Sequence, residues 1–417
     1  MSTQVHANLT RDQVEQISAE LDEPEWLLET RLSALDALDN LDMPSVIQTP
    51  GRTWTNLTDL DFEGFVDPLN AAQDKEREQP DGVEVLEWSE AVAEHGDLIE
   101  EQFGSVVDPE ENFLTALSTA LFTDGTVVYV PEGVDAEDVK IRTTMNSRSL
   151  FNYTLVVTEK NASVTILERQ STGGSEARSA SDASGEAASV EGERYYSGIV
   201  EVAAGENSHV QYGSLQNLDE ETYNYTLKRG TADTYATVNW IEGNMGSRLT
   251  KSEVETTLDG DGSESHIVGA FFGHHDQHFD INSRVWHRAE HTTADLVTRG
   301  VLADRARSVY EGVQDVGRDA WNTSSYQREN TLMLSDDSEA DASPKLIINN
   351  HDTEASHSAT VGQVDAQDLF YMTSRGVDPR SARNMLVEGF FVPVLDEVAV
   401  DELRDDIEEL VAERLRE

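Results

Sequence analysis

Cysteine is absent from this 417-residue chain. That excludes disulfides, cysteine nucleophiles, thiolate metal sites and clusters held by the chain's own sulfur. Lysine is scarce: of 30 basic residues only Lys75, Lys140, Lys160, Lys228, Lys251 and Lys345 are lysines, and 81 acids oppose them. The formal charge of −51 argues against a nucleic-acid face, which must be basic to meet phosphate, and against an anchor on anionic lipid. No apolar run approaches the ~20 residues of a membrane span. Residues Met1–Gln16 lack the apolar stretch of a secretory signal. A soluble, cytoplasmic protein is the expectation. P-loop, Gly-x-Gly-x-x-Gly, nucleophile-elbow and His-Glu-x-x-His motifs are also missing. Residue by residue, nothing points to a self-contained enzyme.

Low hydrophobicity with high charge can mark disorder, but 12 Phe, 11 Tyr and 6 Trp accompany many Val, Ile and Leu in strand-like runs. The excess of carboxylate with little lysine fits a cytoplasm of concentrated salt. There a Debye length of about 3 Å removes the self-repulsion of so charged a compact state.

The first 116 residues form the expected N-terminal helical region. Asp22-Glu23-Pro24-Glu25 reads as a capped helix start, with Leu28, Leu32 and Leu35 at helical spacing and Leu27 and Leu38 widening the stripe. Met43-Pro44 ends that run, a polar stretch containing Trp54 follows, and Val85–Phe103 carries a second, weaker helical pattern. Over residues 117–364 the pattern becomes β. Candidate strands are Thr126–Pro131, Tyr153–Thr158, Ser163–Glu168, Tyr195–Val202, His209–Leu215, Ala236–Ile241, Glu253–Leu258, Phe279–Trp286 and Ala294–Val301. Short Gly/Asn/Asp-rich turns separate them, and no strict hexapeptide or nonapeptide repeat is visible. A barrel, a sandwich and a β-solenoid all remain open. Ser171–Glu193 is Ser/Ala/Gly/Glu-rich and reads as a flexible excursion. Helices return over 365–417. Asp378-Pro379 starts one that Gly389 is expected to stop, and Leu403, Ile407, Leu410, Val411 and Leu415 form the stripe of a last amphipathic helix. That helix docks on its own domain or offers a face to another protein.

Five of the 11 histidines fall between His274 and His291. His274, His275 and His278, with Asp276 and Asp280, are metal-capable residue types suited to Zn, Fe or Mn. His278, Asp280 and Asn282 share one side of a strand, so a stacked polar ladder is the plainer reading. His357, near Asp352 and Glu354, is a further isolated candidate.

Four blocks carry a resemblance over nearly the whole chain. They are Glu23–Glu29 with Arg31-Leu32; Phe122–Pro131 with Gly133-Val134; and His291-Thr292 through Arg299-Gly300-Val301-Leu302 to Asp304–Val309. The fourth runs from Ser356-His357-Ser358-Ala359-Thr360-Val361-Gly362-Gln363 through Leu369-Phe370-Tyr371 and Ser374-Arg375-Gly376 to Val387-Glu388-Gly389-Phe390. In this order they resemble the SufB/SufD family of iron–sulfur cluster assembly scaffolds. The Ser-His-x-Ala-Thr-Val-Gly form and the missing cysteine are similar to the SufD branch.

The resemblance implies a mainly β fold: a right-handed parallel β-helix core flanked by N-terminal and C-terminal helical regions. It implies a non-catalytic scaffold subunit that pairs with a SufB-like paralogue, or with itself in isolation. A SufC-like ATPase would dock on the C-terminal helices, around Arg375, Ala382, Met385, Leu386 and Phe390. His357 aligns with the histidine that faces the partner's cysteine where a nascent iron–sulfur cluster assembles, so the cluster would be transient and no cofactor would stay bound to the chain alone. Ala355 stands where many members carry a cysteine and Ser358 where they carry glycine, which leaves one imidazole from this subunit. The rival readings are a β-helix enzyme acting on polysaccharide, a metalloenzyme built on His274, His275 and His278, and a purely structural half of a scaffold.

Overall fold

The computed structural model describes residues 9–47, 55–60, 62, 73–173, 192–398 and 400–416. Trp54 and most of the Ser171–Glu193 excursion lie outside them. The N-terminal part gives helices α1 (Arg11–Glu20) and α2 (Glu25–Ala37), strands β1 (Gln73–Glu78) and β2 (Glu84–Glu87), and helices α3 (Trp88–Gln102) and α4 (Phe113–Leu121). Sixteen strands follow: β3 (Asp124–Val130), β4 (Asp135–Met145), β5 (Ser149–Thr158), β6 (Ser163–Thr172), β7 (Arg194–Ala204), β8 (His209–Asn217), β9 (Thr222–Ala232), β10 (Thr237–Asn244), β11 (Leu249–Leu258), β12 (Glu264–Gly273), β13 (His278–His287), β14 (Thr293–Leu302), β15 (Arg307–Val316), β16 (Thr323–Met333), β17 (Glu339–Ile348) and β18 (Thr353–Gln363). Helices α5 (Ala366–Thr373), α6 (Pro379–Leu395) and α7 (Asp401–Arg414) close the chain.

From β3 onward, successive strands alternate between two sheets, even-numbered strands in one and odd-numbered in the other, and every neighbouring pair is parallel. The core is therefore a parallel β-solenoid of about eight coils, each donating one strand to each sheet. Its first coil is covered by antiparallel pairing of β1 with β4 and β2 with β3. At the other end β17 and β18 are the terminal strands of their sheets. Between the sheets lie Val, Ile and Leu side chains with Tyr212 and Trp240, including Val164, Ile166, Val200, Val238, Ile267 and Leu296.

One turn column explains how so many coils keep register. Between odd and even strands sit Asn161, Asn207, Tyr235, Gly262, His291 and Asn322, each with positive φ. The backbone N–H of the first five reaches a carbonyl of the next coil at 2.8–3.0 Å, continuing the ladder through the turn. Asn and His tolerate this left-handed backbone better than most residues. His291 is thereby a turn residue.

Several local expectations are corrected. Val85–Phe103 is not one helix: Glu84–Glu87 pairs with β3, and the helix begins at Trp88, whose ring packs edge-on against Phe103 and Phe122. Pro24, not Asp22, is the N-cap of α2, with no side-chain cap. Asp22 has φ 52°, and Glu23 instead accepts a bidentate pair from buried Arg31 at 2.6 and 2.8 Å. Gly389 does not stop α6, which runs on to Leu395 through Pro393. Burial of Val387, Phe391, Val394 and Leu395 against the even sheet outweighs the roughly 1 kcal/mol cost of a helical glycine.

Helix α7 packs on the same outer face, with Leu403, Ile407, Val411 and Leu415 among Leu167, Leu215, Ile241 and Val268. Gly213 makes room for it: a Cβ there would stand 2.6 Å from Leu403, whereas one at Gly243 would meet Leu215 of the neighbouring strand at 2.7 Å. Lys140, Arg142 and Arg169 all reach Glu402 at 2.7–3.2 Å, fixing the start of the helix. The N-terminal region is bolted to the odd sheet by buried carboxylates. Glu201 accepts the N–H groups of Gly104, Val106 and Val107 at 2.9–3.1 Å, and Asp280 accepts that of Ile47 at 2.9 Å.

Candidate functional site

Residues in register on parallel strands share a face. One such column is Trp240, Ile267, Leu296, Gln327 and His357, on β10, β12, β14, β16 and β18. The first four are buried between the sheets, so His357 takes its place on the inner face of the last coil. Among the described residues no further coil lies above it, and the imidazole is exposed. Ala355 lies on the same face two residues earlier, in register with buried Ser325.

The interior changes character as it approaches this end. Thr323, Ser325, Gln327, Glu329 and Thr331 alternate inward along β16 and are all buried. The Gln327 amide lies over Gly312, where any Cβ would overlap it. Glu329 accepts from the Thr331 hydroxyl at 2.5 Å, and burial pushes its carboxyl up to about 7 despite hydrogen bonds from Thr331 and the Thr360 backbone that pull the other way. Glu329 thus sits one strand from His357. Glu329 was not foreseen from the sequence. Its only trace there is period-two alternation inside a polar segment.

The histidine-rich segment divides. His274 and His275 occupy the turn between β12 and β13, while His278 is the first residue of β13. Among the described residues, two groups bring three metal-capable donors within 4.8 Å of one another: Glu220–His274–His275 and Glu84–Glu94–His95. His278 joins neither. Burial, first of all, drives both His274 and His278 down to about 3, Arg414 and His275 adding to the effect at His274. His287 is a core histidine, its two ring nitrogens meeting Thr292 Oγ1 at 2.8 Å and Gln314 Oε1 at 3.1 Å. Asp280 and Asn282 hydrogen-bond to each other at 2.8 Å, the polar ladder expected of them. Glu220 was not foreseen either, because it belongs to a turn 54 residues before His274.

Helices α5 and α6 expose Phe370, Tyr371, Met385 and Val392. Arg375 stacks over Tyr371, 3.5 Å from the ring centroid. Leu386 and Phe390 are half-buried, Phe390 beneath the guanidinium of Arg299 at 4.8 Å. Ala382 is fully buried. It packs inside the chain and contributes nothing to an exposed face.

Comparison with known proteins follows the same outline. Residues 141–390 match the family described as the SufBD core domain of SUF-system FeS cluster assembly, and residues 64–141 match the SufBD protein N-terminal region. The chain is 28% identical to the iron–sulfur cluster assembly protein SufD of Bacillus subtilis, over 98% of both chains. It is 26% identical to SufB of the same organism, over 94% of this chain and 90% of that one. A SufBD family protein of Synechocystis is 25% identical with the same coverage. No described helix is long and apolar enough to cross a membrane. An eight-coil solenoid that ends in the Ser-His-x-Ala-Thr-Val-Gly strand, matched by the core model over 141–390, belongs to the SufB/SufD family of the SUF iron–sulfur cluster assembly system.

Proposed function

We propose that this chain is a SufD-type, non-catalytic scaffold subunit that pairs with a SufB-type paralogue through the open end of its solenoid. The observation that carries the reading is the uncovered last coil. Among the described residues no strand pairs with the outer edges of β17 and β18, which carry exposed Ile347, Ile348 and Val361 and an inward-facing imidazole at His357. Exposed strand edges are templates for pairing with another chain. A second, similar solenoid set end to end would continue both sheets and enclose His357 and the polar interior of β16.

In that assembly the nascent cluster is cargo. This chain has no thiolate to offer, so sulfur and the tighter ligands come from the partner. A neutral imidazole is a borderline ligand that binds iron less firmly than thiolate and releases it more readily. The exposed face of α5 and α6 would take the SufC-type ATPase. Its hydrolysis cycle, acting through these helices, would shift the paired scaffolds between closed and open states.

The decisive experiment is anaerobic reconstitution of the three-subunit complex with His357→Ala. Complex formation should be retained while cluster formation falls at least tenfold. Unchanged cluster formation would remove His357 as a ligand. Failure of the variant to pair would make it an interface residue only.

A further inference from the structure

At the corner where even strands pass into odd ones, turns of two different coils meet. Glu220 lies between β8 and β9, and His274 and His275 lie between β12 and β13, with the β10–β11 turn between them. Glu220 can reach across because that middle turn lies flat. Gly246 packs so tightly that a Cβ would overlap the backbone of Leu218, and Ser247 takes φ 74°. Gln277 holds the histidine turn in place: its side chain accepts from the His274 N–H at 3.0 Å and donates to the Ser247 carbonyl at 2.9 Å. The His275 N–H is in turn held by Asp304 at 3.0 Å.

The three donor atoms form a near-regular triangle. His275 Nδ1 is 2.8 Å from Glu220 Oε1, His274 Nδ1 is 3.1 Å from His275 Nδ1, and His274 Nδ1 is 3.5 Å from Glu220 Oε1. Three neighbouring donors around an octahedral ion at about 2.1–2.2 Å stand about 3.0–3.1 Å apart. The triangle therefore fits one face of such an ion. Two imidazoles and one carboxylate on a single face is the donor set typical of Fe(II), and it also suits Zn(II) and Mn(II). We infer that Glu220, His274 and His275 form a binding site for one divalent first-row transition ion, Fe(II) being the physiological occupant.

The surrounding charges are mixed. Arg414 acts on His274 from α7 but is held by Asn217 Oδ1 at 3.1 Å and the Met245 carbonyl at 3.2 Å, while Asp304 offsets it. The site is separate from His357. β12 and β18 are three strand spacings apart, about 14 Å, and His274 lies seven residues further along its strand direction than Ile267, the register partner of His357. Only the choice of Fe(II) over its neighbours rests on the family's role in cluster assembly. The donor triangle does not.

The test uses the purified full-length chain, stripped with chelator and kept anaerobic in molar KCl with excess Mg²⁺. Salt and Mg²⁺ suppress diffuse binding of cations to an acidic surface. Titration with Co(II), followed by its visible absorption, should saturate at one equivalent, and Fe(II) in large excess should compete for the same site. Glu220 and His275 side chains are 44% and 57% exposed, so Glu220→Gln and His275→Ala leave the fold intact. Each should weaken binding at least tenfold, and His357→Ala should leave it unchanged. Binding that is absent, or equal in the Glu220→Gln/His275→Ala double variant, overturns the site. Failure of Fe(II), even in large excess, to compete with Co(II) for the site overturns the choice of ion. Neither result bears on the reconstitution with His357→Ala.

Discussion

Glu329 is a carboxyl placed where carboxylates are costly, on the inner face of β16 with burial raising it from 4.5 to about 7. Between those values the folded chain holds a proton that the unfolded chain has released. Its contribution to stability is thus complete below about pH 4.5 and is lost as the pH rises through about 7. Against Glu329→Gln, the wild-type chain should match the variant near pH 5 and fall behind by up to about 3 kcal/mol near pH 8. Denaturant unfolding of the two across that range checks it, and a pH-independent difference would refute the assignment. The sequence does not reveal Glu329 because hydrophobic periodicity finds core faces, and this one is built from Ser325, Gln327, Glu329 and Thr331. Hydrophobic periodicity is equally blind to Glu201, whose buried carboxylate faces outward from the odd sheet and holds backbone N–H groups of the N-terminal region. His357 was legible only through its neighbours in the motif. Its alignment with Gln327, Leu296 and Ile267 needed the register of four strands.

Among the elements, strands with alternating Val, Ile and Leu were readable: β5, β6, β7, β8, β11, β13 and β14 contain the segments expected of them, and β3 and β10 do so but for Pro131 and Ala236. Strands that hydrophobic alternation does not mark, such as β9, β12 and β15 to β18, carry Gly, Ser, Asn or charged residues where a coil meets its neighbours or solvent. The repeat is hard to see because it is long and irregular. The left-handed turn residues Asn207, Tyr235, Gly262, His291 and Asn322 recur every 27 to 31 residues, and no single residue type marks them. The C-terminal helices show the opposite case, an apolar stripe that is clear but ambiguous in purpose. Leu403, Ile407, Val411 and Leu415 are consumed by the even sheet, which leaves α5 and the outer side of α6 as the available apolar face. Phe370→Ser combined with Met385→Ser removes one exposed apolar residue from each helix. Loss of co-elution with the SufC-type ATPase, at an unfolding temperature within about 2 °C of wild type, is the expected result. Co-elution that survives both changes would place the docking surface elsewhere.

For the molecule as a whole, charge governs behaviour more than any other property beyond the fold itself. With 81 acids against 30 basic residues, most carboxylates must lie on a surface where they repel one another. The ion pairs that exist, such as Lys140, Arg142 and Arg169 on Glu402, tie α7 to the solenoid and offset only part of that repulsion. At 0.1 M salt the Debye length is about 10 Å, so neighbouring surface charges interact; at 1 M it is about 3 Å and they scarcely do. The solenoid is especially exposed to this effect. Its coils stack at about 4.8 Å, so acids at the same position of successive turns, as at Asp233 and Asp259, lie within one Debye length in dilute buffer. Desolvation already raises the Asp259 carboxyl, with Asp233 adding to the rise and Arg288 opposing it. The unfolding temperature should therefore climb steadily from 0.1 to 3 M KCl. Most of the gain should fall below about 1 M, where screening changes fastest, and a smaller increment should follow above it from salt exclusion. Scanning calorimetry on the isolated chain and on its complex separates two contributions. If the open end is the pairing surface, the complex should be more stable at every salt concentration, while the slope against salt stays similar because the outer acids remain exposed. An unfolding temperature that is flat in KCl would mean that the acidity has no stability role and serves contacts with partners instead.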